Sequence, residues 1–336
     1  MMLQKMQHEI MCCTGCGFCK KSCPIYEITG KEVDSGKGKV LLAYGILKGE
    51  IKEDESVVKA FQNCALCMRC EQDCPSLIQI DAIIQTARRD MKTMLPSHKK
   101  MMDFVTNFGN PFGEKIIKGK EGGNIAYFAG CIASYKEKNI KEATLSIFEK
   151  LNIDVTILDA ICCGNPLEHI GKENKSIKKI ENELEKKEIK KIIFSCPNCM
   201  KSFAPLSEKY EIMHITQFLL NIPKIKPFGK KMIYHDSSIL ARYLGIYDEP
   251  RILLQKAGKF LEFDENKEIA KCCGSDLAFS TAFPEMAEKM AEKIVEEARK
   301  KNAVIVTASP HCYSHLKKYG EVMDIAEVIK KCLNSG

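Results

Sequence analysis

Two short runs of cysteine carry the most specific chemistry in this 336-residue chain. The first is Cys13-x2-Cys16-x2-Cys19-x3-Cys23-Pro24, and the second is Cys64-x2-Cys67-x2-Cys70-x3-Cys74-Pro75. Thiolates spaced two residues apart wrap a tight turn around one face of a [4Fe-4S] cube, while the last, before a proline, leaves the turn and binds the other cube. This logic assigns Cys13, Cys16, Cys19 and Cys74 to one cubane cluster, and Cys64, Cys67, Cys70 and Cys23 to a second. Gly15 and Gly17 in the first run, and Ala65 in the second, leave room for backbone amides to approach the sulfides. Zinc competes poorly, because its sites draw ligands from two separated pairs and have no use for a dense run ending in Cys-Pro. Cys12 fits no slot and reads as a spare buried thiol.

A second constellation comprises Cys131, Cys162-Cys163-Gly164 and Cys196-Pro197-Asn198-Cys199. Each piece sits where an apolar strand ends or a loop begins, the place where open α/β sheets bind ligands. Adjacent cysteines serve one tetrahedral ion badly because successive side chains diverge, but they can ligate different irons of one larger cluster. A buried thiol cluster, or a zinc site using four of the five, remains the alternative. The same signature recurs downstream. Cys162-Cys163-Gly164 matches Cys272-Cys273-Gly274, Ser195-Cys196-Pro197-Asn198-Cys199 matches Ala308-Ser309-Pro310-His311-Cys312, and the Cys131 segment aligns more weakly with Tyr234-His235-Asp236-Ser237-Ser238. Three anchors in the same order point to an internal duplication.

The N-terminal runs follow the bacterial ferredoxin pattern, present twice. With the two cysteine-rich repeats behind them, nearly the whole chain resembles the catalytic iron–sulfur subunit of heterodisulfide reductases, and also the iron–sulfur subunits of glycolate oxidase and anaerobic glycerol-3-phosphate dehydrogenase. The resemblance implies that Cys131, Cys162, Cys163, Cys196 and Cys199 hold a noncubane [4Fe-4S] cluster, the catalytic set. It further implies an oxidoreductase subunit that relies on partner chains. In this reading electrons pass through two cubanes to the noncubane cluster, which reduces a small-molecule thiol disulfide of the coenzyme M–coenzyme B type. The alternative is an electron relay for a flavin-dependent 2-hydroxy-acid or glycerol-3-phosphate dehydrogenase that delivers to a quinone. A non-catalytic redox scaffold is the third reading.

The second repeat departs from that pattern. Ser238 stands where the leading cysteine belongs and Ser309 replaces the first cysteine of the final pair, leaving Cys272, Cys273 and Cys312. Three thiolates cannot hold a five-thiolate cluster. They could hold zinc or another cluster with His235, His311 or His315 as fourth ligand, or the repeat has kept only its packing role. Taken singly, each histidine reads as a surface or cleft residue. In the family scheme each sulfur of the disulfide is captured by one of two noncubane clusters, so the loss of one puts that two-sided chemistry in doubt.

The elements that must position these residues divide the chain. Residues 1–106 read as a helical two-cluster ferredoxin-like domain, with helix-like spacing over Val40 to Leu47 and Ile78 to Met94. The glycine-rich stretch 107–123 reads as a linker. Strand-length apolar runs then alternate with amphipathic stretches through 124–228 and again through 229–336, which predicts two duplicated α/β cysteine-rich (CCG) domains and an α+β multidomain fold overall. The Lys/Glu-rich stretch 172–191 reads as a solvated helix face. Gly36-Lys37-Gly38-Lys39 lacks phosphate-loop spacing and reads as a turn.

Composition excludes several classes. The formal charge of +7 comes from 51 Lys and Arg against 44 acidic residues, yet only six are Arg and they form no stripe, so nucleic acid is not expected. Each four-thiolate cube carries about −2 and a five-thiolate cluster about −3, which brings a loaded protein near neutrality. Eighteen cysteines in a chain of this size, without an apolar stretch after a basic start, imply cytoplasmic metal chemistry rather than disulfides. No run is long enough for a transmembrane span, so any attachment at the inner membrane face goes through a partner. No Gly-x-Gly-x-x-Gly fingerprint is present, which puts flavin on a flavin- or hydrogenase-type partner subunit, or the acceptor on a membrane quinone or cytochrome subunit.

Overall fold

The strands of the C-terminal two thirds form two sheets of one design. A computed structural model describes residues 1–222 and 225–334; positions 335 and 336, the end of the second repeat, lie outside them. In the first sheet β1 (Ile125–Phe128), β2 (Val155–Ile157), β3 (Lys191–Phe194) and β4 (Glu211–His214) run parallel in the order β2-β1-β3-β4. In the second, β5 (Met232–His235), β6 (Phe260–Glu262), β7 (Val304–Thr307) and β8 (Val322–Asp324) repeat that order as β6-β5-β7-β8. Register repeats too: Ile125 lies opposite Val155 and Lys191, as Met232 lies opposite Phe260 and Val304. Every residue of β5 and β7 is buried, as a parallel sheet covered on both faces requires. The edge strands β4, β6 and β8 carry no buried apolar run and were not visible as strands in the sequence.

One core joins the two sheets. Helix Lys138–Lys150 turns Ile140, Ala143, Ile147 and Phe148 inward at three- and four-residue spacing. They pack in a cluster that includes Tyr127 and Ile193 of the first sheet, Tyr234 and Val306 of the second, and Ile325 and Ile329 of the closing helix Ile325–Asn334. Helix Ser176–Lys186 buries only Ile180 and Leu184, so its lysines and glutamates face water.

The N-terminal part is a set of short helices. Ser35 caps helix Gly36–Leu47, its Oγ accepting from the Gly38 amide at 3.0 Å. The Gly36-Lys37-Gly38-Lys39 stretch is therefore the first turn of a helix, a correction to its reading as a loop turn. Val40 and Ala43 pack with Val58 and Phe61 of helix Glu55–Gln62 and with Ile83 and Ile84 of helix Ile80–Asp90. Helix Pro96–Phe108 leads into the glycine-rich stretch, which is fastened along the edge of the first sheet. The Cys162 amide donates to Gly109 O at 2.7 Å, the Ala160 amide to Ile117 O at 2.9 Å, and Lys120 bridges Ile157. Among the described residues no helix is long and apolar enough to cross a membrane.

Candidate functional site

The N-terminal thiols gather into two groups by crossing between the runs. Cys13, Cys16, Cys19 and Cys74 line one cavity together with Lys37, Val40 and Pro75. Cys23, Cys64, Cys67 and Cys70 line another with Pro24, Gly36 and Lys39. The start of helix Gly36–Leu47 thus lies between the two. Gly15 and Gly17 take left-handed backbone, φ +69° and +83°, and the matching positions of the second run, Leu66 and Met68, take the same region at φ 47° and 57°. Left-handed backbone is costly for a side-chain-bearing residue and is kept where the local turn demands it. Cys12 is half-exposed beside His8 rather than buried, which corrects its reading as a core thiol.

Around the second cavity the protein buries cations and bonds them to carbonyl oxygens rather than carboxylates. Lys39 is 1% exposed, and its Nζ donates to Asp34 O at 2.7 Å. Arg88 is 2% exposed and donates to the carbonyls of Phe61 (2.8 Å), Cys64 (2.7 Å), Gln62 and His169. Arg242 donates to Cys67 O at 2.6 Å, to Glu268 O and Ala270 O, and to Ser238 Oγ. Burial pulls Lys39 and Arg88 below their ordinary values, against the attraction of the nearby Cys64 sulfur. Buried charge is retained only where opposite charge compensates it. A cavity lined by four thiols with such cations behind it suits an anionic occupant, and a four-thiolate iron–sulfur cube is anionic. Sequence reasoning missed these three residues. No local signal marks them, since a basic residue bonded to carbonyl oxygens reads in the sequence like any other lysine or arginine.

The five thiols of the first repeat converge at the C-terminal ends of β1 and β3, the two strands between which the sheet order reverses. Cys131 follows β1 and opens a π-helical turn, Ile132–Lys136. Cys196 follows β3 and caps helix Pro197–Phe203, which carries Cys199. Cys162 touches Cys131 and Cys163, Cys163 touches Cys199, and Cys199 touches Cys196. All five are at most 4% exposed. Hydrogen bonding to the neighbouring sulfur, then burial, pushes the Cys162, Cys163 and Cys199 thiols well above the usual thiol range. Five buried thiolates can coexist only with cationic metal among them. Two glycines shape this cradle. Gly164 has φ +82°, the conformation also held by Gly274 in the second repeat at +75°, and a Cβ there would meet the Asn174 side chain. Gly130 has φ +82°, and a Cβ would lie 3.0 Å from Cys199 Sγ and 3.1 Å from Cys196 Cβ.

The repeats face each other across this region and exchange side chains. His311, from the second repeat, touches Cys196 of the first; burial alone would lower its imidazole, but the Cys196 sulfur raises it to about 9. His169 of the first repeat meets Asp276 of the second at 2.5 Å, and Asn198 of the first lines the cavity of the second. In the second repeat Ser238 opens the π-helical turn Ile239–Tyr243 and Ser309 caps helix Pro310–Leu316, the positions of Cys131 and Cys196. Of the histidines singled out from sequence, all are buried: His311 belongs to the first site, His315 bonds Ala287 O at 3.0 Å, and His235 lies with Cys273 and Cys312. Cys272 instead touches Cys67. Cys332 is packed in the shared core.

Comparison with known proteins agrees with this layout. Residues 9–78 match a 4Fe-4S dicluster domain, and residues 125–204 and 232–317 match a cysteine-rich domain, CCG. One component of the dihydromethanophenazine:CoB–CoM heterodisulfide reductase of Methanosarcina acetivorans is 28% identical over 92% of this chain and 88% of that protein. A probable glycolate oxidase iron–sulfur subunit of Bacillus subtilis is 22% identical over 92% of this chain and 88% of its own length. A crystal structure of a Helicobacter pylori protein shares the fold, with a TM-score of 0.63 at 11% identity over 91% of this chain and 69% of that one. The chain is a CCG-domain iron–sulfur protein, similar to a heterodisulfide reductase component, with a 4Fe-4S dicluster domain ahead of two cysteine-rich repeats.

Proposed function

We propose that the protein is the electron-transferring, disulfide-reducing subunit of a larger complex. Cys13, Cys16, Cys19 and Cys74 hold an outer [4Fe-4S] cube, and Cys64, Cys67, Cys70 and Cys23 an inner one. Cys131, Cys162, Cys163, Cys196 and Cys199 hold a noncubane [4Fe-4S] cluster. Together these groups supply one-electron storage and sulfur-seeking iron. The chain's own part is to space them, exclude water from the inner two and neutralise their charge with Lys39, Arg88 and Arg242. Reduction of a disulfide consumes two electrons and two protons and releases two thiols. A partner subunit supplies the electrons on the side of exposed Cys16.

The observation that carries this reading is the convergence of five buried thiols at the ends of β1 and β3. The dehydrogenase-relay reading draws on the similarity to the glycolate oxidase subunit and on Ser238 and Ser309, which leave the second repeat without a matching five-thiol set. Iron analysis of anaerobically purified protein tests the cluster inventory: about twelve irons per chain are expected, and about eight would remove the noncubane cluster. Thiol addition to the oxidised protein then separates the functions. A new thiol-dependent EPR signal is expected for the disulfide reductase, and its absence would leave the relay.

A further inference from the structure

The second repeat keeps the scaffold of the first without its ligand set, and what remains has a chemistry of its own. Cys272 is drawn to Cys67 of the dicluster domain, leaving two thiols. These meet an imidazole: one ligating atom each from His235, Cys273 and Cys312 lies within 4.8 Å of the other two. The three residues are 3%, 2% and 4% exposed. The Nε2 atom of His235 is buried and has no nitrogen or oxygen partner; the side chain interacts with the Cys312 sulfur. An unsatisfied buried polar atom is costly, and natural structures keep one where it has a use.

Two thiolates and an imidazole are the donor set of a borderline-soft divalent ion, zinc foremost. We propose that His235, Cys273 and Cys312 bind one zinc-class cation, with its fourth position open to the cavity between the two repeats. That cavity is also lined by Ser238, Ser309, Cys272, whose sulfur is engaged by Cys67, and, from the first repeat, His169 and Asn198. Its one carboxylate, Asp276, is already engaged by His169 at 2.5 Å and by the Phe279 amide at 3.0 Å, so it does not complete the set. Three protein donors with one open position is the arrangement of a zinc ion that takes a ligand rather than a purely structural one. The exchange that fits the donor set is thiolate for water: the thiol gives its proton to solvent, a metal–sulfur bond forms and the water leaves. No electron moves at this ion. The part concerning a thiolate rests on the disulfide reading above, with the two repeats then serving the two sulfurs by different chemistry, but the ion itself does not.

The test uses the full chain, purified anaerobically and supplied with zinc sulfate, then assayed for zinc and iron. About one zinc per chain is expected, falling at least fivefold in H235A and in the more conservative H235Q, with iron unchanged in both. Zinc absent from the native chain, or equally abundant in both variants, overturns the site. X-ray absorption at the zinc edge of the native protein needs no variant to fold: two sulfurs and an imidazole in the shell support the site, and four sulfurs, which would place zinc among the cluster cysteines, overturn it. Addition of 2-mercaptoethanol should bring in a third sulfur; an unchanged shell overturns the open position. Neither count nor shell depends on turnover, so the site stands or falls separately from the disulfide activity.

Discussion

The guanidinium of Arg88 donates to the carbonyl oxygen of His169 at 2.5 Å, tying the dicluster domain to the first cysteine-rich repeat. The same group reaches the Cys64 carbonyl at 2.7 Å, so one buried side chain spans from a cysteine of the inner cavity to the helix that follows Cys162-Cys163-Gly164. Replacing Arg88 by Met leaves several buried carbonyls unpaired and should cost about 3 kcal/mol or more. A lowered melting temperature of the anaerobic, cluster-loaded protein is the expected result, and an unchanged one would show that the contact does not hold the domains together.

Lys39 should act on the inner cube alone. A reduced cluster is more negative than an oxidised one, so a buried cation beside it favours reduction. K39M is expected to lower the potential of that cube by on the order of 1 kcal/mol, roughly 50 mV for a one-electron couple. An EPR-monitored redox titration reads this directly, with the outer cube as internal control; equal shifts in both would contradict the assignment of Lys39 to the inner cavity.

G130A tests the five-thiol cradle without replacing a thiol. The added methyl faces strain at φ +82° and a sulfur at 3.0 Å. Loss of about four irons is expected, with both cubanes retained. Loss of all iron would mean a folding defect instead, and full retention would show that the sulfurs do not close around Gly130.

Stability should depend on acid through His214. Burial depresses its imidazole to about 4, while its Nε2 lies 3.3 Å from Ser195 O. A base whose folded value is depressed adds stability above its unfolded value, near 6.5, and that stability is lost as pH falls from about 6.5 through about 4. The full contribution is about 3 kcal/mol. Denaturant unfolding of the native protein and H214Q between pH 7.5 and roughly 5.5, where acid has not yet destroyed the clusters, should show the steeper loss in the native chain. Parallel slopes would remove His214 as the cause.

The duplication was legible because its anchors are chemical: Cys-Cys-Gly and the pair after the third strand recur whatever the intervening sequence does. The central strands β1, β3, β5 and β7 were legible for a related reason, since strands buried on both faces must be apolar throughout. Of the four edge strands only β2 was, through the apolar run Val155 to Leu158; the other three were not. Glu211 to His214, Phe260 to Glu262 and Val322 to Asp324 are short and mixed in polarity, and only their partners make them strands. The thiol groupings followed from spacing, whereas the roles of the histidines could not, because His311 serves the repeat to which it does not belong. A residue that crosses a pseudo-symmetric interface leaves no local signature. Nor do Lys39, Arg88 and Arg242, whose meaning lies in bonding to carbonyls instead of carboxylates.

Cys16 is the one exposed thiol among the described residues, whereas Cys67 and all five thiols of the first repeat are buried. Dissolved oxygen arriving from water would therefore meet the proposed outer cube first. If the proposed clusters are bound, air should bleach them in a fixed order from outside to inside, so that a partly damaged sample would keep the buried five-thiol site after the group held at Cys16 is gone.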